Sequence, residues 1–66
     1  MSLIRIYTKD KHLVLAFSEE LLKDLIVTPF SSYACVVRFK DSLLQVNIPI
    51  SEFTAQIENH EFLYFS

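Results

Sequence analysis

The residues of this 66-residue chain whose types could make or break bonds are Cys35, His12, His60 and eight carboxylates. A nucleophilic thiol needs a depressed pKa, supplied by nearby cations or a helix N-terminus, together with solvent access. Cys35 sits instead in YACVVRF, on the alternate row it shares with Val37 and Phe39. That pattern predicts a small core residue, since free cysteine is among the most buried residue types. His12 and His60 fall in the polar clusters KDKH and ENHE, which read as turns. Neither belongs to a metal-ligand spacing, so no metal is expected, and exposed turn histidines whose titration gives at most a mild pH response are expected instead. The acidic residues fall mostly in helix first turns and loops, where capping and solubility account for them. Nothing pairs a nucleophile with a base.

The absence of glycine has chemical weight. Phosphate-binding loops, dinucleotide fingerprints and nucleophile elbows each require backbone conformations or close approaches that a Cβ obstructs. With none of these available, the chain is expected not to be an enzyme and to need no cofactor.

A second set of residues can recognise rather than react: Arg5, Tyr7, Val36, Arg38 and Lys40. Their position depends on two predicted hairpins. In LIRIYTKDKHLVLAF, residues 3 to 17, apolar residues alternate on both sides of KDKH. With Asp10 and Lys11 as the loop, Thr8 faces Leu13, Ile6 faces Leu15 and Ile4 faces Phe17. In VVRFKDSLLQVNIPI, residues 36 to 50, folding about Asp41 and Ser42 sets Phe39 opposite Leu44 and Val37 opposite Val46. Extended outward, this pairing sets Cys35 opposite Ile48 and Tyr33 opposite Ile50. Arg5 and Tyr7 then point outward on the first hairpin, as Val36, Arg38 and Lys40 do on the second.

Between the hairpins, Ser18 precedes EELLKDLIV, with acidic residues in the first turn and Leu21, Leu22, Leu25 and Ile26 on one face. This predicts an amphipathic helix over 19–27, stopping before Thr28-Pro29. In the tail the pattern allows two readings of 52–58: a short second helix capped by Ser51 with Phe53 and Ile57 on one face, which is favoured, or a strand with Phe53, Ala55 and Ile57 alternating. A turn at 58–60 and a final strand FLYF over 62–65 follow. The expected fold class is α+β: a single domain over 1–66, with a mainly antiparallel sheet of about five strands and the first helix packed on one face.

A chain of this size buries only about 60% of its unfolded surface, and one cysteine cannot form an internal disulfide, so packing or a partner must stabilise it. Its hydrophobic fraction is 52%, yet no apolar run approaches the ~20 residues of a membrane span, and MSLIRIYTK lacks a secretory pattern. No membrane association and a cytoplasmic location are expected. The outward positions Leu3, Tyr7, Val14, Ala16, Val36 and Leu43 interleave with the basic residues, and a small domain seldom leaves such a surface open. The C-terminal segment is one candidate cover, and another protein is the other. The expected function is a non-enzymatic protein-interaction module, an adaptor, accessory subunit or inhibitor, that is also a homodimer. The alternative is a nucleic-acid-binding regulator using the same basic and aromatic face, although the net charge of −2 gives little general attraction for phosphate.

Overall fold

The computed structural model describes residues 2–65, with backbone alone described for residues 60–65. Five strands alternate with two helical elements: β1 (Leu3–Tyr7), β2 (Leu13–Ser18), a 3-10 helix (Glu19–Asp24), β3 (Leu25–Ser31), β4 (Ala34–Phe39), β5 (Ser42–Val46) and α1 (Ile50–Phe65). The class is α+β, as the sequence indicates. The strands form two antiparallel sheets rather than one, β1-β2 and β3-β4-β5.

The first hairpin keeps the predicted pairs Ile6–Leu15 and Ile4–Phe17. Its register breaks after Ile6, so that Leu13 pairs with Tyr7 instead of Thr8. The cause lies in the loop. The Thr8 carbonyl accepts from the Lys11 amide (2.9 Å), the Thr8 amide donates to the His12 carbonyl (2.9 Å), and the Thr8 hydroxyl accepts from the His12 amide (3.1 Å). Lys11 adopts φ 66, a left-handed conformation that costs a residue with a Cβ roughly 1–2 kcal/mol. In a chain without glycine, a lysine takes the position instead.

The second hairpin turns at Lys40 and Asp41, one residue earlier than predicted, so Phe39 pairs with Ser42, Val37 with Leu44 and Cys35 with Val46. Lys40 carries the chain's other described positive φ, at 43. Each predicted partner is displaced by two residues, an even slip that preserves which side chains face inward. Tyr33 is the exception: it lies in the β3–β4 turn and is 72% exposed, not on the inward row.

The predicted helix over 19–27 is replaced by one short 3-10 segment and a strand. Ser18 does cap it, its hydroxyl accepting from the Glu20 amide (3.4 Å), but the element ends at Asp24, where the Leu25 amide bonds back to the Leu22 carbonyl. Leu25, Ile26, Val27 and Thr28 then pair with Phe39, Arg38, Val37 and Val36. A helix this short gains little by itself, whereas the β-branched run Ile26-Val27-Thr28 gains a ladder and cross-strand neighbours. Pro29, with no amide to donate, is accommodated because β3 is an edge strand.

The second helix is longer than the predicted 52–58 and absorbs the expected turn and final strand. The Pro49 carbonyl accepts from the Glu52 and Phe53 amides, and the helix then runs without interruption to Phe65. The side chains of Phe62, Leu63, Tyr64 and Phe65, one expected cover for the outward surface, lie outside the described residues.

The core joins the inner rows of both sheets to one side of α1. Ile4, Ile6 and Phe17 meet Cys35, Val37, Phe39, Val46 and Ile48, with Phe53 fully buried among them. Phe17 and Phe39 cross between the sheets, their ring centroids 4.9 Å apart at 49°. Polar contacts also secure α1 against β1. The Gln56 amide donates to the Tyr7 carbonyl (2.9 Å) and accepts from the Tyr7 amide (3.0 Å), and Lys9 pairs with Glu52 at 3.7 Å. One side chain thereby takes the place of a neighbouring strand at that point of the β1 edge.

Two substitutions probe these local solutions. Lys11→Gly relieves the left-handed conformation and should stabilise the fold by roughly 0.5–1 kcal/mol after glycine's entropy is offset, seen as a raised urea midpoint at constant m-value. Gln56→Ala removes both bonds to Tyr7 and should cost about 1–2 kcal/mol, with the Tyr7 amide losing protection from hydrogen exchange.

Candidate functional site

The three-stranded sheet turns one row of side chains to the core and the other away from it. From its registers, the outward row reads across the strands as Ile26–Arg38–Leu43 and Thr28–Val36–Gln45. Arg38 on the central strand is therefore flanked by aliphatic residues from both edge strands. Ile26 is 48% exposed and Leu43 69% exposed. Together with Thr28 and Val36 these residues line a groove of about 200 Å³. The local cause is parity: the alternation that buries Val37 and turns half-buried Val27 and Leu44 toward the core turns Ile26, Val36, Arg38 and Leu43 outward.

Of the five residues expected to form one contact face, Val36 and Arg38 share this groove. Lys40 lies in the β4–β5 turn, its ammonium 3.8 Å from the Asp24 carboxylate at the end of the 3-10 helix. Arg5 and Tyr7 belong to the other sheet, where they stand with Leu3 and Leu13 on the exposed side. Because both sheets direct their inner rows into one core, their outer rows do not merge into a continuous surface. Among the described residues Arg38 has no ion pair, whereas Lys9 and Lys40 each face a carboxylate.

Ile26 and Thr28 are the groove residues that the sequence pattern misses, because it places Ile26 on a helix and Thr28 at that helix's end. The signal was present in the run of β-branched residues directly before Pro29. Leu43, by contrast, was expected to face outward and does.

A cleft of about 290 Å³ lies beside the Gln56–Tyr7 pairing, lined by Tyr7, Thr8, Lys9, Glu52, Ala55 and Gln56. Its single cation and single carboxylate are already paired with each other. Among the described residues, no group of three or more histidine, cysteine, aspartate or glutamate side chains is placed to hold a metal ion. His12 is exposed in the β1–β2 loop, and His60 lies on α1 rather than in a turn. No described helix is long and apolar enough to cross a membrane.

Cys35 is fully buried between Pro29 and Val46 on the neighbouring strands. Burial pushes its thiol pKa above the ordinary value, which keeps it protonated and a poor nucleophile. No protein-family model, curated protein or solved structure matches this chain.

The buried thiol makes stability depend on alkaline pH. The unfolded chain releases the Cys35 proton near the ordinary pKa of about 8.5 while the folded chain retains it. Stability is therefore unaffected below that value and falls above it, by up to about 1.4 kcal/mol per pH unit until the folded pKa is reached. Unfolding free energies of the native chain and Cys35→Ala, measured from pH 7 to 10, should differ by a margin that shrinks with rising pH only above that point.

Proposed function

We propose that this chain is a non-enzymatic protein-interaction module, an adaptor, accessory subunit or inhibitor, that occupies a surface on a larger protein in the cytoplasm. The observation that carries the reading is the outward groove of the three-stranded sheet, where a guanidinium with no ion pair among the described residues lies between exposed Ile26 and Leu43 with Val36 beside it. Aliphatic flanks exclude water from a contact, and within them a charge-assisted hydrogen bond from arginine gains strength. The complementary partner surface presents a carboxylate among apolar side chains.

Charge distribution favours this reading over nucleic-acid binding. A backbone-tracking surface needs several cations along one path. Here Arg38 is the cation of its groove, Arg5 belongs to the other sheet, and Lys9 and Lys40 are engaged with Glu52 and Asp24.

The test compares capture of partners from native cells by the unmodified chain, Arg38→Glu and Arg5→Glu, each with and without nuclease. Reversing the charge of Arg38 should weaken protein capture at least ~30-fold, the scale of a hot-spot residue worth about 2 kcal/mol, while Arg5→Glu stays within a few-fold. Equal capture by Arg38→Glu would remove the groove from the proposal. Loss of all capture after nuclease would replace a protein partner with nucleic acid.

A further inference from the structure

The two edges of the three-stranded sheet differ. Along β3, Pro29 lacks an amide and the register breaks between Pro29 and Ser31, both of which obstruct the addition of another strand. Along β5, the sequence SLLQV contains no proline, no charge and no register break. Lysine, proline and bulges are the usual guards of an exposed edge, and β5 has none of them.

The register shows which backbone groups that edge presents. Phe39 and Ser42 close the two-residue loop, so they form a hydrogen-bonded pair, and the pattern alternates from there. Ser42, Leu44 and Val46 direct their amides and carbonyls toward β4. Leu43 and Gln45 direct theirs away, and no described hydrogen bond uses those groups.

We propose that a second copy of this chain pairs antiparallel with β5 about a two-fold axis at Leu44, joining the two three-stranded sheets into one continuous sheet. In this register Leu43 exchanges both backbone bonds with the partner's Gln45, and Gln45 does the same with the partner's Leu43. Leu44, half-buried on the inner row, meets the partner's Leu44 at a non-hydrogen-bonded position, where side chains approach most closely.

Electrostatics selects this edge-on arrangement for a second copy. No charged residue lies opposite another within the paired strands, because Ser42–Val46 carries none. Stacking two copies through the groove face would instead bring the two Arg38 side chains together on surfaces whose outward rows carry no carboxylate to compensate them. Edge pairing leaves each groove open, so the dimer presents two of them. It stands independently of the partner proposed for the groove, and Arg38→Glu should leave it intact.

The experiment measures mass by sedimentation equilibrium and amide hydrogen exchange on the full chain. At roughly 100 μM, well above a micromolar dissociation constant, the chain should be dimeric with the Leu43 and Gln45 amides protected. Gln45→Pro removes a donor directed away from β4, so the hairpin's own ladder keeps its bonds while the dimer is lost. Leu43→Lys retains every backbone donor and places a cation at the pairing edge, and it should also be monomeric, with the Gln45 amide exchanging freely. A monomeric native chain at that concentration would overturn the proposal, as would a dimer that persists in both variants or one whose Leu43 and Gln45 amides exchange as freely as in a monomer.

Discussion

The contact between Phe17 and Phe39 is the constraint around which the remainder is arranged. It joins two sheets that share no ladder, and with Phe53 it closes a core assembled from every major element of the chain. Aromatic pairs in tilted contact add to the apolar area they bury. Once both inner rows commit to this cluster, alternation along each strand fixes which residues are left outside.

Backbone hydrogen bonding imposes the second requirement. A sheet of two strands leaves exposed edges, and the amide and carbonyl of Tyr7 at the end of β1 are matched by the Gln56 side chain instead of another strand. The same side chain and the Lys9–Glu52 pair hold α1 against the hairpin while Phe53 enters the core. Turn geometry is met with similar economy of residue types. Both described positive-φ positions are lysines, which accept backbone strain in exposed loops and keep those loops charged.

The Arg38 groove follows from these two requirements. The central strand β4 buries Cys35, Val37 and Phe39, so Val36 and Arg38 emerge on the opposite side, between β3 and β5. Had residues 25–27 remained helical, β4 would lack that flank, Ile26 would not stand beside Arg38, and the groove would lose a wall. The 3-10 segment therefore matters for the surface as much as for the core: by ending at Asp24 it releases Leu25–Ser31 to form a strand.

What the sequence determined by itself was parity. The alternations in residues 3–17 and 36–50 identified both hairpins, the inward Ile4, Ile6, Phe17, Cys35, Val37 and Phe39, and the outward Val36, Arg38 and Leu43. Even an expected turn at Asp41-Ser42, one residue beyond the observed Lys40-Asp41, leaves these faces intact, because a slip of two residues in the pairing does not change side. The tertiary structure decided where periodicity was ambiguous. LLKDLIV has apolar residues at helical spacing, yet its second half is a strand because β4 offers hydrogen bonds and packing that no isolated helix could match. FLYF reads as a strand, but it continues α1, since a helix already begun extends more cheaply than a new strand forms. The separation of Arg5 and Tyr7 from Val36 and Arg38 was likewise invisible along the chain. Alternation records which side of its own strand a residue takes, whereas the relative placement of two hairpins depends on how their buried faces pack together.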